Sequence, residues 1–221
     1  MVVIPAGGLG TRLGSRTPKQ FLRLGPTAIL AATVRHFAGR RDVVGVVVAA
    51  PAAHLTRARR VLASLAARVS VSVVEGGVTR QESVARGLEA APPAAIVVVH
   101  DAVRPFISTD LIDRVVAAAR VHGAAVCALP ITETVKRVRD DLVEMTIDRT
   151  DLWSVQTPQA FRTPLLREAH DKARRDGVIG TDDAMLVERI GAAVRVVEGL
   201  GGNVKITTPA DLVRARARSF R

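Results

Sequence analysis

The chain is short of several things at once. It has one cysteine, one tryptophan, no tyrosine, aromatic residues at only 3%, and four lysines against 28 arginines. A single thiol cannot close an intrachain disulfide, and the five scattered histidines show no ligand-pair spacing, which excludes a zinc cluster. Cys127 lies in the apolar run Ala124–Leu129 and reads as a buried, inert thiol. So few aromatics leave little for bases to stack on. The net charge of +11 is therefore read as a solvated, arginine-rich surface that attracts small anions, with no specific nucleic-acid partner. Apolar runs such as Ala94–Val99 fall far short of a membrane span, and no basic-then-apolar leader precedes Val2. The expectation is a cytoplasmic protein without a membrane partner. With 221 residues, 48% of them hydrophobic, it should form one domain over 1–221 around a substantial core.

What is present concentrates first in Val2–Phe21, VVIPAGGLGTRLGSRTPKQF. The apolar run Val2–Ile4 is a strand, and Pro5 ends its ladder. Ala6, Gly7, Gly8, Leu9 and Gly10 follow, then Arg12 and Lys19. Glycines allow backbone N–H groups to converge on a bound group, and two cations beside them suit a polyphosphate. No Gly-Lys-Ser/Thr closes the loop, so it is not a Walker A loop, and the dinucleotide spacing lacks its third glycine. G-x-G-T-R followed by P-K-Q-F is similar to the signature of nucleotidyltransferases that attach a nucleoside monophosphate to a phosphorylated sugar or polyol.

Short apolar runs then alternate with helical patterns, the rhythm of a mostly parallel, twisted sheet covered by helices on both faces. Strands are predicted at Val43–Ala50, Val69–Val74, Ala94–Val99, Ala124–Leu129, Ala193–Val197 and, briefly, Asn203–Thr208. Helices are predicted over Ile29–Phe37, Pro51 to about Ala67, Arg80–Ala90, Ser108 (as cap) to His122, Pro164–Asp176, Thr181–Ile190 and Pro209–Phe220. The rhythm breaks once. Glu133–Val138 and Leu142–Ile147 alternate in period two about Asp140-Asp141, a two-stranded hairpin within an arm spanning about 132–153. Such a hairpin is marginal alone in water, and a second copy of the chain is one candidate to cover it.

Nucleotidyl transfer needs a phosphate cradle, positive charge on the transferring phosphorus and a metal between phosphates. The Ala6–Gly10 loop can cradle, Arg12 can fork onto phosphate oxygens, and Lys19 can act as a point charge. Asp101, at the carboxyl end of a strand, is the candidate ligand for Mg²⁺ or another divalent cation. No organic cofactor is called for. Arg80, Arg104, Arg149 and Lys205 are candidate cations for an acceptor phosphate.

Further constrained stretches accompany these residues. They are Gly76-Gly77-x-x-Arg80-x-x-Ser83-Val84, His100-Asp101-Ala102-x-Arg104-Pro105 and Thr134-Val135-Lys136. After them come Asp148-Arg149-x-x-Leu152-Trp153, Gln156-Thr157-Pro158-Gln159-x-Phe161, Thr181-Asp182-Asp183-Ala184 and Asn203-x-Lys205-Ile206-Thr207. In this order, from Val2 to about Ala215, they closely resemble the 2-C-methyl-D-erythritol 4-phosphate cytidylyltransferase family of the non-mevalonate isoprenoid pathway. The resemblance implies a Rossmann-like nucleotidyltransferase fold and the use of CTP, a polyol phosphate and Mg²⁺. By it, Arg12 and Lys19 stabilise the pentacoordinate phosphorus. Ala6, Gly7, Gly77 and Ser83 line the cytidine site, and Asp101 touches metal and substrate. Thr134, Arg149 and Lys205 hold the polyol phosphate, with Thr134 and Arg149 serving the neighbouring site of a homodimer joined through the hairpin arm. Ribitol 5-phosphate is an alternative acceptor. A hexose-1-phosphate enzyme and a non-enzymatic nucleic-acid-binding protein are the more distant readings.

Overall fold

Val2, Val3 and Ile4 present only branched apolar side chains, and all three are buried. A strand of that kind needs a neighbour on each edge and a helix on each face. It receives both. The computed structural model describes residues 1–8, 17–66 and 69–219. Its strands are β1 (Val2–Pro5), β2 (Arg23–Leu24), β3 (Thr27–Ala28), β4 (Val46–Ala50), β5 (Val71–Glu75), β6 (Ile96–Val99), β7 (Ala124–Pro130), β8 (Val135–Arg139), β9 (Leu142–Ile147), β10 (Trp153–Arg162) and β11 (Arg195–Glu198). Its helices are α1 (Ile29–Ala38), α2 (Leu55–Leu62), α3 (Arg80–Glu89), α4 (Thr109–His122), α5 (Thr163–Asp176), α6 (Asp183–Arg189) and α7 (Pro209–Ser219). Seven strands form one sheet in the order β11-β7-β10-β6-β1-β4-β5. Only β10 runs antiparallel to its neighbours.

The alternation of side chains along β1 and β4 divides the core. Val2, Ile4, Val46 and Val48 pack with Leu30, Phe37, Leu62 and Leu111, so α1, α2 and α4 cover one face. Val3 and Val47 pack with Val84, Leu88, Leu166 and Val187, so α3, α5 and α6 cover the other. Gly87 allows α3 to press against β1, since a Cβ there would stand 2.5 Å from Val3 Cγ1. That approach sets the amino end of α3 beside the end of β1.

Three readings differ from the structure. Asn203–Thr208 is not a strand. It runs as an irregular segment, tied to the fold by the amide of Ile206 donating to the Val103 carbonyl at 3.0 Å. Ile206 is held by side-chain burial among Leu24, Ile29 and Val103. The opposite error concerns β10, a ten-residue strand that the sequence reading passed over. Pro158 inside it argues against a central strand, but the pairing with β7 slips between Val155 and Gln159, and that irregularity accommodates the missing donor. Helix α2 also stops at Leu62, where the Leu65 amide turns back to the Leu62 carbonyl at 2.9 Å.

The hairpin is as expected. β8 and β9 pair only with each other, and Asp140 and Asp141 take left-handed φ values of 48° and 62°. This is the two-residue turn that matches strand twist, and aspartate is among the few residues that tolerate it.

Candidate active site

β1 ends in Pro5, and the chain leaves the sheet as Ala6-Gly7-Gly8. The Ala6 amide donates to Ala49 O at 2.7 Å, and its carbonyl accepts from the buried Gln20 Nε2 at 2.6 Å. Gln20 and Phe21 are buried within the turn Lys19–Phe21, so Lys19 projects from an anchored backbone. Across from it, Gly76 and Gly77 turn into α3. The Ser83 hydroxyl accepts from the Gly77 amide at 3.1 Å and donates to the Thr79 carbonyl at 2.9 Å. A Cβ on Gly77 would meet the Glu82 Cβ at 2.1 Å, so only glycine permits this approach. Thr79 caps α3 by accepting from the Glu82 amide at 3.0 Å, and that cap orients Arg80 at the first helical position.

β6 delivers His100 and Asp101. His100 is fully buried, and burial pushes its imidazole down to about 4, so it is neutral near pH 7. Its Nε2 lies 3.0 Å from the Arg104 carbonyl, which can only accept, so the proton sits on Nε2. Nδ1 then accepts from the Thr157 hydroxyl at 3.1 Å. The same Thr157 oxygen accepts from the Asp101 amide at 3.0 Å. These bonds use both ring nitrogens of His100 and fix the backbone of Asp101 against β10 through Thr157.

Three cations converge on the Asp101 carboxylate. Lys205 Nζ lies 2.8 Å from Oδ2, Arg80 Nε 3.3 Å from Oδ1, and Arg104 Nε 3.6 Å from Oδ2. Burial alone would raise this carboxyl. Arg80, Lys205 and Arg104 outweigh that and hold it well below the usual carboxylate range. Lys205 reaches it from the irregular segment 203–207. There Asn203, fully buried, donates to the Thr157 carbonyl at 2.8 Å, and Arg104 Nη1 donates to the Asn203 carbonyl at 2.6 Å. Arg80 is shared, because its Nη1 also donates to Asp183 Oδ2 at 2.6 Å.

Ala6, Gly7, Gly8, Lys19, Arg80, Asp101 and Lys205 thus surround one cavity of about 280 Å³ at the carboxyl ends of β1 and β6. This is where ligands bind in open α/β sheets. Arg104 stands directly behind Asp101, and Gly77 and Ser83 form the turn behind the wall. Thr134 and Arg149 are not brought here; both are exposed on the arm. Leu9, Gly10 and Arg12 lie outside the described residues. A larger cavity of about 820 Å³ sits at the other end of the sheet, lined by Met1, Ile96 and Arg162, and contains none of these groups. Sequence reasoning missed His100, Thr157, Asn203, Asp183 and His170 as supports. Most stand within stretches noted for their composition, and the doubled Asp182-Asp183 was the clearest signal. Asp182 caps α6 by accepting from the Met185 amide at 2.9 Å, leaving Asp183 to point inward.

The donor set can be tested against a divalent cation. Among the described residues no group of three or more His, Cys, Asp or Glu side chains could hold a metal ion. Among the described residues Asp101 is the one carboxylate lining the cavity, and both its oxygens already face cations. Such a site suits a hard cation that takes most of its ligands from phosphate and water and one from protein.

A doubly covered, mostly parallel sheet with a glycine turn, an anchored lysine and a cation-ringed aspartate at its carboxyl edge defines an α/β nucleotidyltransferase. Comparison with known proteins narrows this further. The family model described as 2-C-methyl-D-erythritol 4-phosphate cytidylyltransferase matches residues 1–219. The chain is 44% identical to the enzyme of that name from Bacillus pumilus over 217 residues, covering 98% of this chain and 95% of the relative. It is 44% identical to the one from Geobacter metallireducens over 220 residues, covering 97% and 95%. The crystal structure of the Thermus thermophilus enzyme matches with a TM-score of 0.85 at 41% identity, covering 100% of this chain and 98% of that one. The chain belongs to the 2-C-methyl-D-erythritol 4-phosphate cytidylyltransferase family.

Proposed function

We propose that the chain transfers the cytidylyl group of CTP to 2-C-methyl-D-erythritol 4-phosphate, at the cavity between Gly8 and Asp101. An oxygen of the acceptor phosphate attacks the α-phosphorus of CTP, a new P–O bond forms, and the bond to the leaving pyrophosphate breaks. The acceptor is a phosphate monoester whose second pKa is about 6, so it is dianionic at neutral pH and needs no general base. The protein's contribution is positioning and charge.

The supporting observation is the balance of charge at the cavity. Arg80, Arg104 and Lys205 pair with Asp101 and Asp183, and Lys19 lines the same cavity, so cations gather where two polyanions must meet. Ala6–Gly8 offer backbone amides to the nucleotide, with Gly77 and Ser83 shaping the base and ribose wall. Lys19, with Arg12 from the loop, stabilises the charge that builds on the α-phosphoryl oxygens. Arg104 and Lys205 receive the acceptor phosphate. Asp101 would hold a Mg²⁺ ion carried with the triphosphate, which supplies charge neutralisation between phosphate oxygens.

Thr134 and Arg149 complete the acceptor site of a second copy. Val138, Leu142, Val143 and Met145 are 47 to 72% exposed on the two-stranded arm, an apolar surface the chain itself does not cover. A homodimer joined through the arm, working in the cytoplasm, fits that surface. The direct test is pyrophosphate release with CTP or UTP against methylerythritol phosphate or ribitol 5-phosphate. Turnover only with CTP and methylerythritol phosphate is expected. Preference for ribitol 5-phosphate would move the chain to the neighbouring specificity, and no release with either would remove the assignment.

A further inference from the structure

Arg80, in the cavity wall, divides its charge between two carboxylates. Its Nε faces Asp101 Oδ1 at 3.3 Å and its Nη1 donates to Asp183 Oδ2 at 2.6 Å. Nη2 is buried without a hydrogen-bond partner among the described residues. Asp183 is 1% exposed and stands at the start of α6, and its other oxygen accepts from His170 Nε2, on α5, at 2.9 Å. A line of contacts therefore runs from α5 through α6 and α3 into the cavity.

A guanidinium next to a single carboxylate tends to dock both its nitrogens on it, as a fork. At Asp101 that arrangement would displace Lys205, which lies 2.8 Å from Oδ2. It would also commit Nη2. The hold of Asp183 on Nη1 prevents this. It restricts Arg80 to a single contact with Asp101 and leaves Nη2 buried and uncommitted. A buried ion pair is a poor device for stability alone, since apolar residues of similar size often serve as well. Here it restrains a long side chain whose rotamer freedom would otherwise oppose a fixed placement.

We propose that Asp183 and His170 are positioning residues of the nucleotide site: His170 orients the Asp183 carboxylate, and Asp183 holds Arg80 in the cavity wall so that it shares Asp101 with Lys205. This rests on the cytidylyltransferase reading for its kinetic readout but not for its binding readout.

A double-mutant cycle tests it, read both as kcat/KM for CTP and as the CTP dissociation constant from calorimetry. Asp183→Asn should weaken both about tenfold in the native background, the usual size for losing one charge-assisted hydrogen bond. In an Arg80→Ala background it should change them less than twofold, because there is no guanidinium left to position. His170→Ala should cost about threefold and His170→Gln, whose amide can still donate to Asp183, should restore most of it. Equal losses in both Arg80 backgrounds would show that Asp183 acts on stability alone and overturn the proposal, as would failure of glutamine to rescue alanine at 170. Should Asp183→Asn fail to fold, the two His170 variants read the same coupling. Absence of all turnover with intact CTP binding would count against the reaction and leave the calorimetric cycle decisive for Arg80.

Discussion

Two groups of cations, both proposed to meet phosphates, are held in opposite ways. Arg80, Arg104 and Lys205 meet at Asp101 behind a buried lattice of His100, Thr157 and Asn203. Arg149, with Thr134, rides on an arm none of whose strand residues is buried and whose two strands pair with nothing else. The difference teaches where the cost of order is met. In the cavity it is met by the fold, before any ligand arrives, so those charges are preorganised in the sense that favours catalysis. On the arm it must be met from outside, by a second copy or by substrate.

The contrast can be broken most forcefully at its buried side. Asp101→Asn leaves Arg104 and Lys205 without this counter-charge and Arg80 with Asp183 alone, and breaking such a buried pair costs about 3–5 kcal/mol. A urea midpoint unchanged from wild type would mean that the cluster is not held together by this carboxylate. The neutral His100 gives the next effect. Its folded value of about 4 lies below the ordinary 6.5, so the unfolded chain takes up the proton first. The stability it contributes is complete above about pH 6.5 and is lost as pH falls toward 4, by up to about 3 kcal/mol for a shift of that size. Replacing it by asparagine should flatten that stretch of the pH–stability curve, and an unaltered slope would contradict the assignment of a neutral ring.

Lys19→Ala comes next. Lys19 stands half-buried on an anchored turn, so its loss should lower kcat about 100-fold, equivalent to about 2.7 kcal/mol, with little change in the unfolding midpoint. A loss below tenfold would take Lys19 out of the chemistry. On the arm the effects should be smaller and of another kind. Arg149→Ala should raise KM for the acceptor phosphate about tenfold and leave CTP binding intact; an equal effect on both substrates would erase the distinction between the two regions. Leu142→Asp, at a residue 72% exposed, should shift sedimentation toward monomer while changing the unfolding of isolated chains by less than about 0.5 kcal/mol.

How far the sequence could be read follows the same division. Strand β1 was legible because three branched apolar residues followed by proline and glycines leave few alternatives. The placing of Asp101 was legible because a chain leaving a buried parallel strand must do so at its carboxyl end. The arm was legible from period-two alternation around two aspartates. Arg80 and Arg104 were named as candidates, but nothing local separated their role from that of other arginines, since surface and interior arginines look alike in sequence. Strand β10 was illegible for a different reason. Its proline contradicts a central strand unless the neighbouring pairing slips, and the slip is visible only with β7 beside it.

Composition and pattern by themselves determined the class: a doubly covered sheet, a glycine-rich turn with a lysine beyond it, and an aspartate at a strand end. These depend on neighbours a few residues apart, which sequence records directly. Only the tertiary structure decided which cations serve that aspartate, and that Asp183 and His170 stand behind one of them. Such partners lie as far apart as the 103 positions between Arg80 and Asp183, and only the packing of α3 against α5 and α6 brings them within a hydrogen bond.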